Sequence, residues 1–287
     1  MTFSCIAELV NAAVKAGKPL SAIVLKDEAK RSERSAQEIR AEMTNVLSVM
    51  RRAITLGINR QDKSFSGMVG GDAYILNNCK AFLGEPVIKA ATYAIAINEV
   101  NAGMGKIVAC PTAGSCGIVP GAIMAIADTM NCEEEKLVNA LFTAAGIGEV
   151  IAANATVAGA LGGCQAECGS AAAMAAAAVV EMLGGTPEES AQAMALALKN
   201  MLGLACDPVA GLVEVPCVKR NGFAAIHALV AAQMAMVGIK SVIPPDEVIE
   251  SMYRIGLEMP ANVRETSQGG LAVTPTAKAI EQKLAQE

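Results

Sequence analysis

The chain has 287 residues, long enough to bury a sizeable core in one large domain or two small ones. Its net charge is -5 at pH 7, and it has no Lys/Arg run with interleaved aromatic residues, which argues against a nucleic-acid partner. The opening residues, 1–6, lack the basic region and cleavage site of a secretory signal, so we expect a cytoplasmic protein.

The apolar side chains are mostly small or aliphatic: hydrophobic residues make up 53% of the sequence and aromatic residues only 3%. Two charge-free runs, 107–127 and 221–239, are long enough to raise the question of a membrane span. The first contains Pro111 and Pro120, and the second is rich in alanine and carries the polar His227. We therefore expect buried helices of a soluble bundle and no membrane; a membrane transporter component is the non-enzyme alternative.

The N-terminal part predicts a small helical appendage. Apolar residues recur at helical spacing in CIAELVNAAVKAG, and Ser35 with Glu38 forms a capping box that opens an amphipathic helix. We predict an appendage over 1–60 and a catalytic domain over 61–287.

A glycine-rich loop, QDKSFSGMVGGDAY, follows the appendage at residues 61–74. Loops carry function out of proportion to their length, although a plain surface linker has the same composition. The sequence identifies no catalytic base; Lys63 and Ser66 are named as candidate catalytic residues only because they lie in this loop.

From Pro86 onward, helical patterns alternate with short glycine loops, and Thr186 with Glu189 forms a second capping box. Only residues 239–243 and, less clearly, 211–216 have the composition of strands, and strands do not alternate with helices as a parallel sheet requires. The sequence therefore predicts an all-α fold: a multi-helix catalytic domain with glycine-rich site loops.

The sequence has one histidine and nine cysteines. His227 has no acidic residue within a helical turn to orient it, so we expect it to pack between helices, which disfavours histidine-based catalysis and zinc sites built from several histidines. The odd number of cysteines argues against a simple disulfide framework, and most of them are expected in the core.

Cys164, Cys206 and Cys217 each lie at the edge of a predicted helix and close to glycine or proline, where the backbone can approach a bulky inorganic group. The loop CDPVAGLVEVPC is stiff, so it would hold its two thiolates at a fixed separation. Three thiolates with one open iron suit a [4Fe-4S] cluster that acts as a Lewis acid. From the residues alone this is one hypothesis among others, because there is no C-x-x-C motif and the cysteines are far apart in sequence.

Several segments resemble the α chain of the bacterial iron-sulfur-dependent L-serine dehydratases (L-serine ammonia-lyases): SGMVGGDA, NEVNAGMGKIVACPTAG, PTAGSCGIVPG, GGCQAECGSAAAMA, KNMLGLACDPVAGLVEVPCVKRN and RETSQGGLAVTPT. The resemblance implies that Cys164, Cys206 and Cys217 hold the [4Fe-4S] cluster. It leaves Cys116 and Cys168 as core or near-site thiols.

The resemblance also implies an activity and a partner. L-serine would lose water and yield pyruvate and ammonia, as a step of amino-acid degradation. The complete enzymes contain a β part that this sequence lacks, which implies a hetero-oligomer with a β chain that could supply the base. Cysteine desulfidase chemistry on a similar scaffold is the enzyme alternative, and a pyridoxal-phosphate dehydratase would need an α/β sheet that the sequence does not predict.

The substrate carboxylate needs hydrogen-bond donors, and two segments offer them. Thr112 and Ser115 lie in a glycine-rich turn before a helix, where an anion is favoured, although a plain capping turn has the same sequence. Lys219, Arg220 and Asn221 follow Cys217 and could neutralise charge or bind substrate; alternatively Asn221 only caps the next helix and the two cations are solvated.

Overall fold

The computed structural model describes residues 2–286. Over that range the chain forms thirteen α-helices and no strand, so the all-α prediction is confirmed. The helices are α1 Ile6–Ala16, α2 Leu20–Ser32, α3 Ala36–Asn59, α4 Asp72–Asn77, α5 Glu85–Ala102, α6 Ile118–Met130, α7 Glu134–Asn154, α8 Gly159–Gly162, α9 Ser170–Met182, α10 Pro187–Lys199, α11 Cys217–Met236, α12 Pro245–Glu258 and α13 Pro275–Leu284. A π-helix covers Gln165–Gly169, and single 3-10 turns cover Val209–Gly211, Ala261–Val263 and Gly270–Val273.

The two segments with strand-like composition do not form strands. Residues 239–243 are an irregular connection between α11 and α12, and residues 211–216 are mostly turns. Neither segment has a neighbouring strand to supply hydrogen bonds, and β-branched residues favour strands only where such a partner exists. The described residues contain one isolated parallel bridge, between Cys206 and Arg264.

The centre of the fold is the alanine-rich helix α9. Twelve of its thirteen residues are buried, and it packs against α6, α7, α10 and α11. Because alanine adds little volume, neighbouring helices approach this axis closely from several sides. The high alanine content of the sequence is thus explained by the close packing of helices around α9.

Two glycines set the contacts of α5 with its neighbours. A Cβ atom at Gly57 of α3 would lie 2.3 Å from the carbonyl oxygen of Ala96, and one at Gly117, before α6, would lie 2.1 Å from that of Ala94. No side chain fits at either position, so the backbones of α3 and α6 pack directly on α5.

The N-terminal helices share the main core. Leu9, Leu20 and Leu47, from α1, α2 and α3, are buried in the same hydrophobic cluster as α9. Helix α3 ends at Asn59, next to the predicted domain boundary. The division into domains 1–60 and 61–287 stays a prediction, and its outermost residues, 1 and 287, lie outside the described range.

One helix among the described residues, α7, is long and apolar enough to cross a membrane by length and composition. However, 67% of its most apolar stretch is buried inside the fold. A buried helix of this kind is typical of a core helix in a soluble protein.

Both predicted capping boxes form. The hydroxyl of Ser35 accepts from the backbone N–H of Glu38 at the start of α3, and that of Thr186 accepts from Glu189 at the start of α10. In each box the glutamate side chain in turn accepts from the N–H of the cap residue.

We expect the substitution Thr186→Ala to lower the free energy of unfolding by about 1 kcal/mol, because the N–H of Glu189 loses its acceptor. Urea denaturation of wild type and variant measures the difference. The matched variant Thr186→Ser keeps the hydroxyl and should unfold like wild type; equal losses in both variants would contradict the assignment.

Candidate metal centre

Cys164 lies at an irregular point in the helical path. It stands between α8 and the π-helix Gln165–Gly169, and helices of this type are frequent at functional sites. Gln165, which has no exposed surface, fixes the turn: its side-chain amide donates to the carbonyl of Met252 and accepts from the N–H of Gly203. The turn that carries Cys164 is therefore held by contacts from distant parts of the chain.

Three thiols meet at this turn. The Sγ atoms of Cys164 and Cys168 are 3.7 Å apart, and Cys206 approaches from the following loop. The ligand atoms of Cys164, Glu167 and Cys206 lie within 4.8 Å of one another, in an arrangement that could hold a metal ion. All three of the thiols are buried.

Cys206 is fixed by residues near the C-terminus. Its N–H donates to the carbonyl of Val263, and its carbonyl accepts from the N–H of Glu265. Next to it, the carboxylate of Asp207 accepts from the N–H of Leu271 at 2.8 Å. The strap, as we call residues 263–271, therefore holds the backbone on both sides of the Cys206 thiol.

Cys217 is the first residue of α11 and is buried. Burial, together with negative charge on Cys164 and Glu167, raises the pKa of its thiol to about 12. This thiol therefore shares the electrostatic environment of Cys164.

The glycine-rich loop is attached to the segment before Cys217. The carboxylate of Glu214, which is buried, accepts from the hydroxyls of Ser64 and Ser66. The ammonium group of Lys63 donates to the carbonyl of Gly70 within the loop itself. In this structure both candidate catalytic residues, Lys63 and Ser66, thus have structural partners.

Arg220 connects the two cysteine-bearing segments. Its guanidinium donates to the carbonyl of Ala205 at 2.7 Å and to the carboxylate of Asp207 at 2.9 Å. The thiols of Cys168 and Cys206 and the guanidinium of Arg220 all stabilise a thiolate at Cys164, which holds the pKa of Cys164 well below its usual range. A thiolate is the form that binds metals.

One hydrogen bond connects the loop before α6 with Glu167, which lies next to the cysteines. The hydroxyl of Thr112 donates to Oε1 of Glu167 at 2.7 Å. Ser115 is fully buried and lies 3.1 Å from the Thr112 hydroxyl, so it supports the loop from within. Asn221, also fully buried, donates to the carbonyl of Gly114 and accepts from the N–H of Gly117, which ties the loop to α11.

Three other residues singled out from the sequence have partners outside this cluster. Lys219 is half-exposed and pairs with Asp72 at the start of α4. His227 contacts the carbonyl of Ala197 at 2.8 Å, in agreement with the expected helix-packing role. Cys116 is buried beside Asn98. Thr112, Ser115, Lys219, Arg220 and Asn221 stay predictions as substrate contacts.

Sequence reasoning missed three acidic residues at the site: Glu167, Asp207 and Glu214. Burial raises the pKa of Glu167 to about 7, and negative charge on Cys164 adds to the effect. The signal for Glu167 was its place three residues after Cys164, one turn along a helix. Asp207 and Glu214 lie in the loop 206–217, but their partners are far away in sequence.

The donor set fits an iron-sulfur group. Buried thiols contributed by separate segments are soft ligands of the kind that hold zinc or iron-sulfur clusters. The guanidinium of Arg220 offsets part of the negative charge that several thiolates would bring together. The residues present are thus compatible with the predicted cluster.

Comparison with known proteins identifies the family of the chain. The sequence pattern of the serine dehydratase alpha chain family matches residues 15–272. A protein of Bacillus subtilis (strain 168), named probable L-serine dehydratase, alpha chain, is 50% identical over 98% of this chain and 95% of its own length. The L-serine dehydratase, alpha chain, of Peptoniphilus asaccharolyticus is 42% identical over 98% of this chain and 97% of its own length. L-serine dehydratase 2 of Escherichia coli (strain K12) is 37% identical over 94% of this chain, but over only 61% of its own length.

Fold and site together define an all-helical protein with a buried thiol cluster suited to a metal. Within that class, the chain belongs to the serine dehydratase alpha chain family.

Proposed function

We propose that this chain is the α chain of an L-serine dehydratase, which eliminates water from L-serine to give pyruvate and ammonia. Membership of the family supports the reaction. The observation that carries the proposal is the buried cluster of Cys164, Glu167 and Cys206, because it brings two soft thiol ligands together and its carboxylate contacts the polar loop through Thr112.

Within this proposal, Cys164, Cys206 and Cys217 hold a [4Fe-4S] cluster. When bound, such a cluster supplies a Lewis acid for a hydroxyl that is otherwise a poor leaving group. The chain's own part is to bury the thiols, to balance their charge with Arg220 and to fix Cys206 between the strap and α11.

The loop before α6 is the proposed place of the substrate carboxylate. Thr112 is partly exposed, and its hydroxyl faces the cysteine cluster through Glu167. Backbone N–H groups of the turn add positive potential where a helix begins. Ser115 and Asn221 act by holding the turn in shape, while Lys219 and Arg220 contribute positive charge from the first turn of α11.

No base is assigned within the chain. Lys63 and Ser66 already have partners in Gly70 and Glu214. The Bacillus subtilis and Peptoniphilus asaccharolyticus alpha chains match this chain over nearly their whole length, whereas the longer Escherichia coli protein extends well beyond the matched part. We therefore propose a cytoplasmic hetero-oligomer in which a β chain completes the site.

The test is anaerobic purification of the full chain coexpressed with its β chain. We expect about four irons per α chain with matching sulfide, and pyruvate formation that depends on L-serine. Pyruvate and sulfide from L-cysteine, with no reaction of L-serine, would favour the desulfidase alternative. Serine turnover by an iron-free protein would refute the cluster while leaving the reaction in place.

A further inference from the structure

Glu167 occupies the gap between the polar loop and the cysteines. Its Oε1 accepts from the Thr112 hydroxyl at 2.7 Å, and its Oε2 lies 3.8 Å from Sγ of Cys206. One carboxylate oxygen is thus engaged with the proposed carboxylate-binding loop, and the other faces the proposed metal ligands. A small substrate bound between the two would meet this carboxylate.

Glu167 has no cation of its own. Over residues 2–286 no lysine or arginine forms an ion pair with it, and the nearby guanidinium of Arg220 donates instead to Ala205 and Asp207. Among these residues the carboxylate therefore has no fixed positive partner, and a cationic group of the substrate would supply one.

Glycines border the carboxylate on both sides. A Cβ atom at Gly159 would lie 2.6 Å from Oε2, and one at Gly114 would lie 3.1 Å from Oε1. Any larger residue at 159 would press on the carboxylate and on Sγ of Cys206, which is 3.2 Å from the same position. The two glycines therefore leave space around the carboxylate. This space includes the surroundings of Oε2, whose one donor is the Cys206 thiol.

We propose that Glu167 binds the α-ammonium group of the substrate and thereby selects amino acids over hydroxy acids that lack this group. The inference rests on the proposed function, since it takes L-serine as the substrate. The ammonium is the only cationic group of serine, and it would form a charge-assisted hydrogen bond with Oε2 of Glu167, whose one donor in this structure is the weakly donating thiol of Cys206. Thr112, which donates to the other oxygen, fixes the orientation of Glu167.

The test compares ligands with and without the ammonium group, using the iron-loaded complex of the full chain. Steady-state kinetics give kcat and KM for L-serine and the inhibition constant of 3-hydroxypropionate, which is serine without its amino group. Calorimetry measures the dissociation constants of L-alanine and of propionate, which is alanine without its amino group. Neither ligand is turned over, so the comparison isolates the contribution of the ammonium group to binding. Iron and sulfide content are measured for every variant.

In Glu167→Gln we expect the KM for L-serine to rise about 30-fold or more, because a buried charge partner of the ammonium is lost. The inhibition constant of 3-hydroxypropionate and the iron content should stay unchanged, and Glu167→Asp should recover part of the affinity. The companion variant Thr112→Val removes the hydroxyl that donates to Glu167, so it should raise the KM for L-serine by less than Glu167→Gln does.

Three results would overturn the inference: equal weakening of both ligands in Glu167→Gln, a fall in kcat with unchanged KM, or loss of iron. The last would make Glu167 a metal-site residue. A wild-type complex that binds L-alanine no better than propionate would overturn it too, even if serine is converted to pyruvate. A wild-type complex that makes no pyruvate from serine refutes the proposed function instead, and the calorimetric contrast then decides the role of Glu167 by itself.

Discussion

Replacing Cys164 by alanine is expected to abolish both iron binding and serine-dependent pyruvate formation. The thiols of Cys168 and Cys206 and the guanidinium of Arg220 all favour the thiolate form of Cys164 and hold its pKa below the usual range, so its loss removes the preferred thiolate of the cluster. The smaller side chain leaves the fold intact, which far-ultraviolet circular dichroism should confirm. Iron, sulfide and visible absorption of the anaerobic protein measure the effect.

Cys168→Ala is the matched control. The Cys168 thiol is as buried as that of Cys164 and lies 3.7 Å from it, but the proposed ligand set excludes it. This variant should retain about four irons and most of the activity. Loss of iron in Cys168→Ala, with retention in Cys217→Ala, would show that the ligand set contains Cys168 in place of Cys217.

The second large effect is expected at Gly57. Alanine is normally the better helix former, by up to about 1 kcal/mol relative to glycine. In α3 the sign should reverse, because the added Cβ would lie 2.3 Å from the backbone oxygen of Ala96, and a helix backbone has no room to yield. We expect Gly57→Ala to cost about 2–3 kcal/mol and to lower Tm by roughly 5–10 °C, as measured by thermal unfolding.

Gly148→Ala in α7 provides the comparison. Its added Cβ would meet Cε and Sδ of Met174 at 2.9 Å, which are the end atoms of a flexible side chain that can move. We expect its stability to stay within about 1 kcal/mol of wild type. If the two variants were equally destabilised, backbone contact between α3 and α5 would not be the cause.

The sequence predicted the helices well wherever local signals decide the structure. Both capping boxes, at Ser35 and Thr186, start helices as expected, because all their partners lie within three residues. The strand expectation for residues 239–243 was wrong for the opposite reason. A strand depends on a partner elsewhere in the chain, and a short apolar segment carries no information about whether one exists.

The site was predictable only in part. Residue chemistry singled out Cys164, Cys206 and Cys217, but the resemblance to a family was needed to favour a cluster over other uses of thiols. Glu167 escaped notice because its partner Thr112 is 55 positions away in sequence. The role of Asp207 likewise depends on Leu271, 64 positions further on. Contacts between residues so far apart in sequence depend on how the whole fold packs, which local sequence patterns do not reveal.

The strap has a consequence for how the protein matures. The backbone N–H and carbonyl of Cys206 find their hydrogen-bond partners only when Val263 and Glu265 are in place, and these two residues lie far downstream of it in the sequence. A nascent chain that ends before the strap already contains every proposed metal ligand, yet lacks the contacts that fix one of them. A chain cut before the strap would therefore keep the proposed ligands but lose the hydrogen bonds that fix the backbone of Cys206.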